Sequence, residues 1–171
     1  MRPVALITET LDPAAADWLA QHAEVAWRRL DDGQPLDEAL ARADALIVRT
    51  YTQVNADLLD RAPRLRVVAR AGVGLDNIDV PECRQRGVEV VYTPDANTQA
   101  VVEYVVSLML DALRPRVAFD ASITDDAFHN MRRTHVGTQL DTLTLGILGF
   151  GRVGRRLGKV ASAIGMRLLV N

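Results

Sequence analysis

Short, unbroken apolar runs recur along the chain: Val4-Ala5-Leu6-Ile7, Ala45-Leu46-Ile47-Val48, Val67-Val68-Ala69 and Val88-Glu89-Val90-Val91. Runs of this length without polar alternation suit strands covered on both faces, as in a parallel sheet. Between them lie stretches polar on one side, Ala14 to Gln21, Leu36 to Arg42 and Ala56 to Arg61, which read as helices. Strand and helix in alternation predict an α/β fold. Local signals agree. Asp12-Pro13 opens the first helix, where a missing proline N–H costs nothing. Asp79-Val80-Pro81-Glu82 reads as an N-cap with a glutamate three residues on, and Gly87 stops that helix before the next strand.

A longer helix follows, with Val101, Val105, Leu108 and Ala112 on one stripe and Val102 and Met109 beside it. Asn97 is its expected N-cap, and Pro115 ends the pattern. Residues 119–135 read as a second, more polar helix plus a loop. The α/β rhythm restarts at Leu143 to Leu148, continues as a helix over Arg152 to Ala163, and reaches a last strand at Arg167 to Asn171. A boundary is expected near residue 97.

The chemistry concentrates in two glycine-rich loops. Gly149-Phe150-Gly151-Arg152-Val153-Gly154 sits between an apolar strand and a helix, which makes GxGxxG more specific than it is alone. Gly149 would permit the tight turn, Gly151 a close backbone approach to a pyrophosphate, and Gly154 close packing of helix on strand. The amides around Arg152 and Val153 would face the anion at the helix N-terminus. The competing reading is a merely tight strand-to-helix turn. The acidic residue that holds the ribose hydroxyls is expected roughly 20 residues on, just past Asn171, so NAD and NADP are not distinguished.

The second loop, Gly72-Val73-Gly74, follows a buried strand and can turn several amides toward one point, forming a small anion site suited to a carboxylate. Arg70 and Arg49 end adjacent apolar runs, where the ligand crevice of an open α/β sheet lies. Together they could hold a second anionic group by bidentate contacts; alternatively, either is a solvated or salt-bridged surface residue. Asp76 and Asp79 read as turn and cap residues.

Composition narrows the partners. A net charge of -2 argues against nucleic acid. The arginines at 114, 116, 132, 133, 152, 155 and 156 have no stacking aromatics among them. Cys83 is the only cysteine, so no internal disulfide forms, a reducing compartment fits, and the residue reads as a packed helix position. No signal-peptide pattern and no membrane-length apolar run is present, so a cytoplasmic, membrane-free protein is expected. His22, His129 and His135 form no metal site.

Taken together, ARAGVGLDNIDV, PDANTQAVVEYVVSLML and LGILGFGRVGRRL resemble, in order and spacing, three successive signatures of the D-isomer-specific 2-hydroxyacid dehydrogenases. The resemblance covers essentially the whole chain, and arginines at both 49 and 70 make it most similar to the phosphoglycerate-oxidising branch. It implies a flavodoxin-like substrate-binding domain over residues 1–97. An interdomain helix and the first part of a Rossmann NAD-binding domain would occupy 98–171, so the chain is expected to be a portion of a longer protein. Arg49, Arg70, Val73, Gly74 and Asn97 would bind substrate, with the Val73 and Gly74 amides on its carboxylate. Gly149, Gly151, Arg152, Val153 and Gly154 would bind the cofactor, and Glu103 would be structural. The family's catalytic arginine, acid and histidine would all lie past Asn171. The implied activity is NAD-dependent oxidation of a D-2-hydroxyacid, 3-phosphoglycerate among them as in serine biosynthesis, or reduction of a 2-oxoacid. NADP, glyoxylate or hydroxypyruvate reductases, and formate or phosphite dehydrogenases remain related options. A homodimer formed through residues 98–140 is implied too. The alternative function is a catalytically incomplete, NAD-sensing or protein-binding module like the corepressors related to this family.

Overall fold

A computed structural model describes residues 2–29, 36–114, 122–134 and 136–171. The chain divides into two compact units, Met1–Ala96 and Asn97–Asn171.

The first unit is an open parallel sheet. Its elements in chain order are β1 (Val4–Ile7), α1 (Pro13–Ala20), β2 (Glu24–Trp27), α2 (Asp37–Arg42), β3 (Ala45–Val48), α3 (Ala56–Asp60), β4 (Val67–Arg70), α4 (Val80–Gln85) and β5 (Glu89–Tyr92). The spatial order is β2-β1-β3-β4-β5, all neighbours parallel. This is the flavodoxin-like order, whose winding reverses between β1 and β3. The apolar runs at β1, β3 and β4 form interior strands with both faces covered, whereas the run at 88–91 forms β5, the other edge strand, in which Val91 and Tyr92 are exposed because it has one neighbour. Leu6, Leu46, Val48 and Val68 point into one core with Leu40, Leu58, Leu59 and Cys83. Ala5, Ile7 and Ile47 point into the other, against Ala16 and Ala23.

The polar signals act as expected in this unit. Asp12 accepts the Ala14 amide at 2.8 Å and Asn55 accepts that of Leu58 at 3.1 Å, each at a helix start. Asp79 accepts the Glu82 amide at 3.0 Å. Glu82 does not return the favour of a capping box; its carboxylate takes Arg86 Nε at 2.7 Å, and Arg86 also pairs with Asp60. Gly87 ends α4 with φ of 71°, a left-handed conformation that favours glycine.

β2 is a strand that the apolar pattern does not announce. Glu24 and Trp27 are exposed and only Val25 and Ala26 are part-covered, because β2 is the outermost strand and has one neighbour, β1. An edge strand gains its order from ladder hydrogen bonds, so it needs no continuous apolar run.

The second unit contains α5 (Thr98–Leu113), α6 (Asp125–Thr134), β6 (Thr144–Ile147), α7 (Arg152–Ala163) and β7 (Arg167–Val170), with β6 and β7 paired in parallel. Its core joins Val102 of α5 to Ile147 and Leu157, with Val105, Val106, Leu145, Val153, Val160 and Leu168 around them. The inward face of α5 therefore runs through Val102, Val105 and Val106. Leu108 and Ala112, expected on the buried stripe, are exposed. The stripe was displaced by about one residue because α5 is apolar on more than one side and periodicity alone does not choose among its faces. The polar helix expected over 119–135 is confined to Asp125–Thr134, with no buried residue; residues 119–121, Pro115 and His135 lie outside the described residues. No described helix is long and apolar enough to cross a membrane.

Candidate functional site

At the C-terminal ends of β1, β3 and β4, three loops of the first unit stand side by side. β1 runs into Thr8 and Glu9, both buried. β3 runs into Arg49-Thr50-Tyr51-Thr52, and β4 into the Gly72-Val73-Gly74 loop. The winding reversal between β1 and β3 leaves no crossing chain over their ends, so a crevice opens there. A cleft of about 530 Å³ occupies it, lined by Thr8, Glu9, Thr10, Arg29, Arg49, Thr50 and Tyr51.

Glu9 organises this region. Its Oε1 accepts the amides of Arg49 (2.9 Å) and Thr52 (3.0 Å), and its Oε2 those of Thr50 (2.8 Å) and Tyr51 (3.1 Å). Burial by itself would raise the pKa of this carboxyl. Four amide donors outweigh it and hold the group at about 2, below its ordinary 4.5. Thr8 and Thr52 hydroxyls bond each other at 2.7 Å, and Asn77 Nδ2 donates to the Thr52 carbonyl at 2.7 Å. Sequence reasoning missed Glu9. Its one signal was position: an acidic residue directly after a strand with every residue buried.

The two expected arginines do come together. Val48 pairs with Arg70 across β3 and β4. Arg70 Nε donates to the Arg49 carbonyl at 2.7 Å, and Arg49 Nη1 donates to the Thr10 carbonyl at 3.0 Å. Among the described residues, neither guanidinium meets a carboxylate, which disfavours the salt-bridged surface alternative. Arg70 Nη1 is buried and has no hydrogen-bond partner. It stands 3.0 Å from where a Cβ on Gly74 would be, and Asp76 Oδ2 stands 2.7 Å from the same point, so the loop closes over the arginine only because residue 74 has no side chain. The Gly72 amide turns back to the Arg70 carbonyl at 2.9 Å. The Val73 and Gly74 amides donate to no acceptor among the described residues. Two amides without an acceptor thus stand beside an unsatisfied guanidinium nitrogen, the kind of donor set that suits an anion.

The second unit carries the other loop. Gly149 has φ of 89°, which admits the tight turn, and its amide donates to the Asn171 carbonyl at 2.9 Å. A Cβ on Gly154 would overlap the Gly149 carbonyl oxygen and sit 3.3 Å from Ile147 Cγ2, so α7 approaches β6 as closely as a backbone permits. A Cβ on Gly151 would meet nothing within 4 Å. The absence of a side chain there therefore answers no internal packing demand and leaves the space before the α7 N-terminus clear. Arg152 and Val153 are the first two residues of α7, and their helix-start amides face that space. Asn97 precedes α5 as expected, and its carbonyl accepts the Val101 amide at 2.9 Å. Its side chain makes no capping hydrogen bond: Asn97 is itself near-helical, with φ of -101° and ψ of -3°, a backbone that does not aim Oδ1 at the following amides. Glu103 accepts Gln99 Nε2 at 2.7 Å along α5.

Residues 5–146 match the family model described as D-isomer specific 2-hydroxyacid dehydrogenase, catalytic domain. The chain belongs to that family. Over 163 residues it is 40% identical to the D-3-phosphoglycerate dehydrogenase of Mycobacterium bovis, covering 95% of this chain and 30% of the relative. It is 33% identical to the hydroxypyruvate reductase of Thermotoga maritima over 165 residues, covering 95% of this chain and 53% of that protein. The chain thus spans between about a third and about half of the relatives it matches. The fold is shared with the NAD+-bound 3-phosphoglycerate dehydrogenase of Entamoeba histolytica, at a TM-score of 0.75 and 24% identity over 100% of this chain and 54% of that one.

Proposed function

We propose that this dehydrogenase chain supplies the substrate-anion receptor and the dinucleotide phosphate cradle of an NAD-dependent enzyme. The reaction is the interconversion of a D-2-hydroxyacid and its 2-oxoacid, with 3-phosphoglycerate as the substrate favoured. The observation that carries the reading is the pair of open amides at Val73 and Gly74 beside the unpartnered Arg70 Nη1. A 2-hydroxyacid carboxylate has the charge and the acceptor geometry to take the two amides, which leaves Arg70 to act with Arg49. Arg49 and Arg70 then add a second cationic locus on the same strand ends, which favours a substrate with two anionic groups over glyoxylate or lactate. Residues 1–97 serve as the substrate domain and 98–171 as the start of the dinucleotide domain.

The fit of a dinucleotide to the second unit rests on Gly151, whose missing side chain no neighbour requires. Gly149, Gly151 and Gly154 shape the turn, and the Arg152 and Val153 amides hold the pyrophosphate. A nicotinamide dinucleotide supplies the hydride acceptor when bound. Asn97, at the start of α5, is assigned a substrate contact. This chain's own contribution is to bind and orient: the amides fix the carboxylate and the arginines fix the distal anion, which sets the reacting carbon in place.

Chemical-shift titration of the 15N-labelled chain with 3-phosphoglycerate and with D-lactate tests the reading. The Val73 and Gly74 amides shift with both ligands. Arg49→Ala and Arg70→Ala weaken 3-phosphoglycerate more than D-lactate. Equal weakening of both removes the two-anion argument, and unmoved amides at 73 and 74 remove the carboxylate receptor.

A further inference from the structure

Glu9 lines the cleft, but both its oxygens are taken by backbone amides. It is nevertheless linked by hydrogen bonds to both arginines. The amide of Arg49 is one of the four it holds. The carbonyl of that same Arg49 receives Arg70 Nε at 2.7 Å. The Arg49 side chain returns to the residue after Glu9, through Nη1 to the Thr10 carbonyl at 3.0 Å. One carboxylate is therefore joined to both arginines through the main chain of residue 49.

We propose that Glu9 is the positioning residue of the two-arginine anion site. It converts the loop after β3 from a flexible connection into a rigid mount for Arg49 and, through the Arg49 carbonyl, for Arg70. This rests on the reading of those arginines as substrate-binding groups. A glutamate suits the task because the four amides of residues 49–52 converge on one point, and only an ionised carboxylate supplies two oxygens with acceptor sites enough for all four. With those amides consumed, the 49–52 loop recognises anions through its side chains alone. The Gly72–Gly74 loop, whose amides stay open, takes the complementary role.

A second carboxylate supplies the control. Asp44 sits at the opposite end of the same strand pair, just before β3. It accepts the Val4 amide at 2.9 Å and the Arg64 guanidinium at 3.1 Å. Asp44 clasps β1 to β3 as Glu9 does, but far from the arginines' loop ends.

The test compares 3-phosphoglycerate binding to the 171-residue chain in five forms: wild type, Glu9→Gln, Arg49→Ala, the two combined, and Asp44→Asn. Glu9→Gln keeps the side-chain size but replaces one acceptor oxygen by an NH2 donor. It should weaken binding by roughly tenfold or more, as expected when a charged contact loses its alignment. In the Arg49→Ala background it should add less than that, because only the share carried by Arg70 through the residue-49 carbonyl remains. Asp44→Asn should leave affinity within about twofold even where it lowers stability. Wild-type affinity in Glu9→Gln, full additivity with Arg49→Ala, or an equal loss in Asp44→Asn overturns the proposal.

A measurement on the unmodified chain guards against a variant that does not fold. If one carboxylate holds the loop, the amides of Arg49 to Thr52 and the Arg70 Nε–H exchange with solvent in step. Independent exchange of the Arg70 Nε–H overturns the proposal. Should wild type fail to bind 3-phosphoglycerate, the substrate reading fails, and this exchange measurement alone decides the role of Glu9.

Discussion

Three glycines of the dinucleotide turn and its helix meet three different surroundings, and an added methyl group should rank them. At Gly154 the new Cβ overlaps the Gly149 carbonyl oxygen and lies 3.3 Å from Ile147 Cγ2. The oxygen belongs to a backbone pinned by a left-handed φ of 89° and by the hydrogen bond the Gly149 amide donates to the Asn171 carbonyl. It has little freedom to retreat, so α7 must move off β6 by roughly 1 Å to restore ordinary contact distances. That shift loosens Leu157 against Ile147 and Val102. Overpacking of this kind costs about 1–3 kcal/mol, offset in part by the helix propensity of alanine over glycine, at most about 1 kcal/mol. At Gly158 the Cβ meets only side-chain ends, Phe150 Cε2 at 3.3 Å and Leu168 Cδ1 at 3.4 Å, which can give way. The propensity gain then dominates, and Gly158→Ala should be neutral or stabilising. At Gly151 nothing lies within 4 Å, and an alanine at this N-cap position should cost only the cap preference for glycine, roughly 0.5–1 kcal/mol. Thermal unfolding followed by circular dichroism reads the series, at about 2–4 °C per kcal/mol for a chain of this size. The expected order of melting temperatures places Gly158→Ala at or above wild type, Gly151→Ala close to it, and Gly154→Ala below both by several degrees. The packing argument is refuted if Gly154→Ala melts with wild type, or if Gly151→Ala falls as far as Gly154→Ala. The same series separates packing from binding: Gly151→Ala should retain its fold yet lose affinity for NAD+ in a calorimetric titration.

Other outcomes follow from the first unit. Glu9 has a native pKa of about 2 against an ordinary 4.5, so its contribution is complete above pH 4.5 and is lost as pH falls toward 2. That shift corresponds to roughly 3 kcal/mol. Urea unfolding at several pH values should show a decline in this window that Glu9→Gln lacks; parallel declines in the two proteins would sink the assignment. Leu58→Ala, within the core beside Leu6 and Val68, should cost about 2–5 kcal/mol of unfolding free energy in the same assay. A loss below 1 kcal/mol would mean the site collapses around the gap.

The sequence carried the interior strands and the two glycine loops openly, and for a shared reason. β1, β3 and β4 are buried on both faces, so each writes an unbroken apolar run, and a loop that must bend sharply or lie against an arginine writes glycine. β2 and Glu9 were silent because their reasons are not local. β2 is ordered by its ladder to β1, and its composition is that of an exposed edge. Glu9 is ordered by amides some forty residues later, whose identity does not depend on side chains: any residues at 49–52 offer the same N–H groups. The helix α5 fails differently. Its apolar positions cover more than one face, so the choice of Val102 over Leu108 as the inward residue waits on what packs against it.

The clasp between Glu9 and the loop after β3 also bears on how the protein becomes functional over time. Its two halves are separated in the chain by α1, β2, α2 and β3, and they meet only after the chain leaving β2 has crossed back through α2 to lay β3 along the other side of β1. Closing so long a segment is an entropic cost that helices and hairpins do not face. A partly folded chain that has formed its helices and its β1–β2 ladder still presents two unfixed arginines. Anion binding should accordingly appear in the final kinetic phase of refolding, with the closing of β1 on β3, and a ligand that needs both arginines would draw the chain toward that last step.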